Sequence, residues 1–301
     1  MFPTAPPEEP IFNVPRPVLV VLAVLVLIHL GRSLLSVEED LWLVLASAFI
    51  PARYGPMGAE LPGGEVALFT SPFTHMLMHG DWLHLALNGA WLLAFGGAIA
   101  ERTGPARFYA FFIVCGLAGA AAFALANGDL MQPMIGASGA ISGLMGGALR
   151  LLFPALDSGG FRRLREAPRS VRLMSLGEAL TDRRILITSA ILVVINVLTI
   201  VGFGVAQNSA GIAWEAHLGG YALGLFTYGL FDDVSRAEDQ RQELVAKPCS
   251  DVLFGERLAR DDDAVTVGDG DGGAARDPAL AQLRAEPFDV DARSDDVGHG
   301  V

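Results

Sequence analysis

The stretch GASGAISGLMGG, residues 136–147, crowds glycine around two hydroxyls at the head of an apolar run. Glycine in a helix interior costs about 1 kcal/mol relative to alanine, so a helix that opens this way needs its glycines for another purpose. Gly139, Gly143 and Gly147 repeat at the four-residue spacing that lets two membrane helices bring their backbones together, and Gly220 and Gly224 repeat it in a second apolar run. Gly136 and Gly139 flank Ser138, whose amide is then one of the unpaired N–H groups at a positive helix end. A free N–H beside a hydroxyl is what a nucleophile next to an oxyanion site requires.

The rest of the chain puts this stretch in lipid. Of 301 residues, 52% are hydrophobic and only 18% charged, a profile a soluble domain does not keep. The net charge is −12, but residues 232–301 hold 18 Asp and Glu against 8 Lys and Arg, so the acidity belongs to the tail. An acidic balance of this kind argues against nucleic acid as a partner. Cys115 lies in an apolar run and Cys249 in the tail, surroundings too different to predict a disulfide. The leader before residue 17 is acidic and Pro-rich, which fits an uncleaved first span better than a signal peptide.

Uncharged windows long enough to cross a bilayer fall near residues 17–35, 82–100, 107–127, 136–154, 185–205 and 211–231. They predict an all-α membrane protein: a short segment 1–16, a six-transmembrane-helix bundle over 17–232 with a long outer loop between helices 1 and 2, and an acidic, disordered tail over 233–301. Arg32 and Arg150 are expected at helix ends, snorkelling to water. Arg102 and Arg107 lie between spans two and three, and seven arginines from Arg162 to Arg184 lie between spans four and five; the opposite connections hold only Arg53. Both termini are therefore expected in the cytoplasm. The apolar LWLVLASAFI, residues 41–50, is expected on or in the outer leaflet. GDGDGG at 268–273 lacks the ligand spacing of a calcium loop.

Polar groups inside spans are costly and need a reason. The candidates are His29, His84, Asn88, Ser138, Ser142, Asn196, Glu215 and His217. Spans two, four and six all run inward from the outer face, so His84, Asn88, Ser138 and His217, the last about two turns into its helix, share one outer layer. His84 and Asn88 are four residues apart, on one helix face, and both can donate toward a common point. His217 can take the Ser138 proton at neutral pH. Glu215 projects from another side of the helix, so a Ser138/His217 dyad is expected rather than a triad. Ser142 is the rival nucleophile but lacks the helix-start donors. His75, His79 and His84 with Asp81 do not form a zinc signature, and no metal or other cofactor is expected.

At these residues the chain resembles the rhomboid intramembrane serine proteases. FTHMLMHGDWLHLALN (73–88) resembles the histidine-rich entry to the family's second helix. GASG (136–139) resembles its G-x-S-G motif, AHLGGYALG (216–224) its catalytic-histidine helix, and Gly97, Glu101 and Gly104 its G-x-x-x-E-x-x-G segment. The resemblance implies Ser138 as nucleophile, His217 as base, and an oxyanion site from the Ser138 amide with His84 and Asn88. It implies transmembrane protein substrates cut after a small residue near the outer face, with helix five and the loop before helix six as a gate. Two departures stand out: Ser142 replaces an aromatic that stacks on the histidine, and TSP (70–72) stands where some members carry Trp-Arg. The expected enzyme is a multi-pass protein of a bacterial inner membrane whose oligomeric state the sequence leaves open. The alternative is a catalytically silent rhomboid-like protein that binds membrane clients; a transporter lacks the repeats it would need.

Overall fold

The computed structural model describes residues 14–56, 58–200 and 213–234, without the side chains at 165 and 196–200. The leader up to residue 13, the tail beyond 234 with Cys249 and GDGDGG, and the side chain of Asn196 lie outside the described residues. Within them the chain is mostly helical and forms no strand: α1 (Arg16–Arg32), α2 (Val37–Ser47), α3 (Gly64–Thr74), α4 (Trp82–Thr103), α5 (Pro105–Ala126), α6 (Ser138–Ser158), α7 (Gly160–Glu166), α8 (Leu176–Thr181), α9 (Arg183–Ile200) and α10 (Trp214–Phe231). Among the described residues α4, α5 and α6 are long and apolar enough to cross a membrane.

Helix α6 is the centre. Its apolar window is 78% buried inside the protein, against 39% for α4 and 44% for α5. Lipid is as apolar as leucine, so packing and hydrogen bonds rather than transfer from water hold such helices together. Small residues supply the fit. A Cβ on Gly220 would strike the Gly139 carbonyl oxygen, and one on Gly224 the Gly143 carbonyl oxygen. One on Gly146 would lie 2.7 Å from the Leu225 nitrogen. Helices α6 and α10 thus run parallel, backbone against backbone. Gly147, expected in the same stripe, faces the Tyr228 and Phe111 rings instead.

Around this pair, α4 and α5 form a hairpin turned by Gly104 alone, at φ +76°, with Pro105 starting the second helix. Helix α1 lies antiparallel to α4: Gly96 faces Val18, Gly89 faces Leu22, and the His29 ring meets Trp82 edge-on at 4.5 Å. Leu25, Leu92, Ile99, Phe108, Phe111, Leu144 and Leu151 fill the shared core.

Two arginines correct the sequence reading. Arg150 lies inside α6, which runs on through Pro154 to Ser158, and is only 4% exposed. It donates to the Met174 and Leu225 carbonyls at 2.9 and 3.2 Å instead of reaching water. Arg32 does end α1, but it turns back into the protein, binding Asp40 through Nε at 2.7 Å and the His79 carbonyl at 2.6 Å. Each found buried acceptors from distant segments, which a hydropathy window does not see.

The segment between α1 and α4 is built rather than looped. Ser36 and Glu39 form a capping box at the start of α2. Leu41 and Trp42 are exposed, as an interfacial helix requires, but Phe49 and Ile50 at the end of the same apolar run are buried. Phe49 pairs with Met134, N–H to carbonyl in both directions at 3.0 and 2.8 Å, and Ala52 N–H reaches the Leu130 carbonyl at 3.2 Å. Arg53, the cation of this segment, is fully buried and donates to the Pro62 and Leu45 carbonyls.

Candidate active site

The end of the bundle where α4, α6 and α10 begin gathers the predicted residues. Asp81 caps α4 by accepting the His84 N–H at 2.8 Å, which sets His84 in the first turn and Asn88 one turn further on the same face. The His84 ring stands 5.0 Å from the His79 ring, centre to centre, and Gly80 N–H points at its Nδ1 at 3.4 Å. Asn88 is buried and its amide donates to the His84 carbonyl at 3.0 Å. That leaves the second amide hydrogen for another acceptor.

Helix α6 starts at Ser138, so the Ser138 amide is among the first-turn donors with no acceptor in its own helix. The approach to it is fixed by Gly136, at φ +120°, where a side chain is strained. A Cβ there would lie 2.8 Å from His84 Nε2 and 3.8 Å from Ser138 Oγ. Both groups therefore flank one small space that only glycine leaves open. The Gly136 N–H donates to the His75 carbonyl at 2.9 Å, tying the histidine-rich segment to the head of α6.

The structure sets His217 Nε2 2.8 Å from Ser138 Oγ. With the ring proton on Nδ1, the hydroxyl donates to Nε2. His217 is the fourth residue of α10, which begins at Trp214, rather than two turns in; it meets the first residue of α6 because Gly220 seats on the Gly139 carbonyl, so α10 begins about a turn before α6. Both side chains are half-buried. The contact of His217 with Ser138, not Ser142, follows from the glycine packing of α6 on α10.

The sequence reading missed the third wall. Helix α10 is seated on α5 as well as α6: a Cβ on Gly119 would lie 2.8 Å from the Ala216 carbonyl oxygen, and one on Gly219 2.8 Å from that of Ala118. The small-residue run GLAGAAA at 116–122 was the available signal. Asn127, at the C-cap of α5, donates to Glu215 Oε1 at 2.9 Å. Glu215 is thus held sideways, away from the dyad, and helps pin the start of α10. On the far side, Tyr221 and Ser189 join α10 to α9 through a 2.6 Å contact of their hydroxyls.

The neighbouring histidines of the outer segment are held neutral. Burial pushes His75 down to about 4, and burial together with the nearby His84 pushes His79 down to about 3. His75 Nδ1 lies 3.0 Å from the Ser71 carbonyl oxygen. Among the described residues no three His, Cys, Asp or Glu side chains are arranged to hold a metal ion.

Residues 68–164 match the family model described as the Rhomboid domain. The match supports the rhomboid resemblance of the motifs and takes in His84, Asn88 and Ser138, stopping before His217. No curated protein matches the chain. Together with the apolar helices, the similarity to this domain over about a third of the chain supports an integral membrane protein.

Proposed function

We propose that the protein is an intramembrane serine endopeptidase that hydrolyses peptide bonds of transmembrane protein substrates near the outer face of the bilayer. Six spans carry it, α1, α4, α5, α6, α9 and α10, with both termini in the cytoplasm and a bacterial inner membrane as its site. The observation that carries this reading is the 2.8 Å contact between Ser138 Oγ and His217 Nε2, side chains of two separate helices. In the reaction, Ser138 Oγ attacks the scissile carbonyl while His217 Nε2 takes its proton. The Ser138 amide, His84 and Asn88 stabilise the oxyanion. His217 then returns the proton to the departing amine, leaving an acyl-serine. A water, deprotonated by the same nitrogen, releases the new carboxylate. No cofactor enters any step. Irregular backbone at the entry to α6 is compatible with lipid only beside a wet cavity, as this chemistry needs.

Ser138→Ala is expected to lower cleavage of a reporter membrane protein by at least about 10³-fold, with expression and melting temperature unchanged. A fluorophosphonate should label Ser138 in the wild type and fail to label the His217→Ala variant. Equal cleavage by Ser138→Ala and wild type removes the nucleophile assignment. Client capture without any labelling would establish the silent, client-binding alternative.

A further inference from the structure

The opposite end of the bundle holds a second polar recess, of about 260 Å³, where the end of α6 meets the connection to α8. Its walls include Asp157 and Ser158 from α6 and Arg163, Ser170 and Arg172 from the connection. A water occupies ~30 Å³, so the recess has room for a group much larger than one water.

Around the recess Arg184 holds both Asp157 and Asp182 and Arg172 holds Glu178, which leaves Arg163 as the lining cation with no acid partner among the described residues. Asp157 is already bound by Arg184, at 2.8 and 3.1 Å. Among the described residues Arg163 donates to neutral oxygens: Ser170 Oγ at 3.3 Å, the Ser158 carbonyl at 3.0 Å and the Ser170 carbonyl at 3.2 Å. Its guanidinium is held by these three bonds in the wall of the recess. Arg172 shares Glu178 at 2.9 Å from a side chain that is itself 63% exposed. Over residues 157–184 the sequence carries seven arginines and four acids, Asp157, Glu166, Glu178 and Asp182.

Apolar surface adjoins this recess. Arg184, which clasps Asp157, stands at the start of α9, and Ile187, Ile191 and Val194 on one face of α9 are all about half exposed. Phe161, beside the arginines of α7, is 68% exposed. A preorganised cation in a polar recess, next to a bare apolar helix face, matches a molecule with a phosphate at one end and hydrocarbon at the other.

We infer that this recess binds the phosphodiester headgroup of an anionic phospholipid, held by Arg163 and Arg172, with its acyl chains along the Ile187, Ile191 and Val194 face of α9. The inference rests on reading the chain as a membrane protein but not on its being a protease.

The test uses the full-length protein in neutral detergent with equal amounts of phosphatidylglycerol and phosphatidylcholine, the retained lipids being counted by native mass spectrometry. Phosphatidylglycerol should be retained preferentially. Arg163→Gln with Arg172→Gln should lower its retention by about fivefold for each arginine lost, and Arg163→Lys with Arg172→Lys should keep most of it. Arg162→Gln, outside the recess, should change nothing. Equal retention of the two lipids, or full retention by the double glutamine variant, overturns the inference. So does displacement of the lipid by excess inorganic phosphate, which would mark a site for the free ion. If the glutamine pair does not fold, the wild-type preference and the lysine pair decide. Ser138→Ala should keep the lipid preference, and the arginine variants should keep Ser138-dependent labelling, so this inference and the proposed protease fail separately.

Discussion

The two ends of the bundle handle polarity in opposite ways. Where α4, α6 and α10 begin, the site's polar groups are neutral side chains, and the contacts include Ser138 to His217 and Asn88 to the carbonyl of its own helix. Where those helices end, charge is fully buried and multiply bonded. Arg102 binds Asp232 at 2.8 Å and also donates to the Pro168 and Val171 carbonyls, with both partners of the ion pair inaccessible. Arg107 and Arg169 both bind Asp233 alongside. One end is held by a buried ion pair, the other by hydrogen bonds between neutral groups.

Breaking the ion-paired end should cost the most stability. Asp232→Ala leaves Arg102 buried without its counter-charge and should lower stability by about 3–5 kcal/mol, measured by thermal unfolding in detergent. Labelling of Ser138 per folded molecule should persist below the lowered melting temperature. If labelling vanishes while the fold survives, the two ends are not independent. Gly136→Ala works at the other end: the strained φ and the approach to His84 should cost about 1–3 kcal/mol, with cleavage falling more steeply than melting temperature. An alanine variant with wild-type cleavage would show that the space beside His84 is not used.

Acid sharpens the comparison. The unfolded His75 takes a proton near 6.5 and the folded one only near 4, so between those values acid favours the unfolded chain. Stability should fall as pH drops from 7 to 5, by on the order of 1 kcal/mol for this group, and His75→Asn should flatten the melting curve against pH. The smallest effect belongs to the exposed cap of α2, where Ser36→Ala should cost about 1 kcal/mol or less and leave cleavage unchanged.

Among the described residues a helix falls within each apolar window, and α4, α5 and α6 are long and apolar enough to cross a membrane, because length and hydropathy are local properties. The meeting of Ser138 and His217 is legible from the direction of the spans, which puts both in one layer, together with the glycine repeats at 139 and 143 and at 220 and 224, which let the two helices approach. What stayed hidden depends on partners remote in sequence. Arg150 and Arg32 looked like water-seeking helix ends because their acceptors, Met174, Leu225, Asp40 and His79, belong to other segments. The support of α10 by α5 was missed since alanine and glycine there look like any apolar filler. Hydropathy sets His217 too deep because it does not register the non-helical backbone of Ala213, which caps α10.

The rungs joining Phe49 to Met134, Ala52 to Leu130 and His75 to Gly136 are all amide-to-carbonyl bonds. No side chain can be deleted to remove them. The joint between the outer segment and the serine-bearing helix is written in the main chain, so substitutions can recolour that segment's surface extensively and still leave its grip on Ser138 in place.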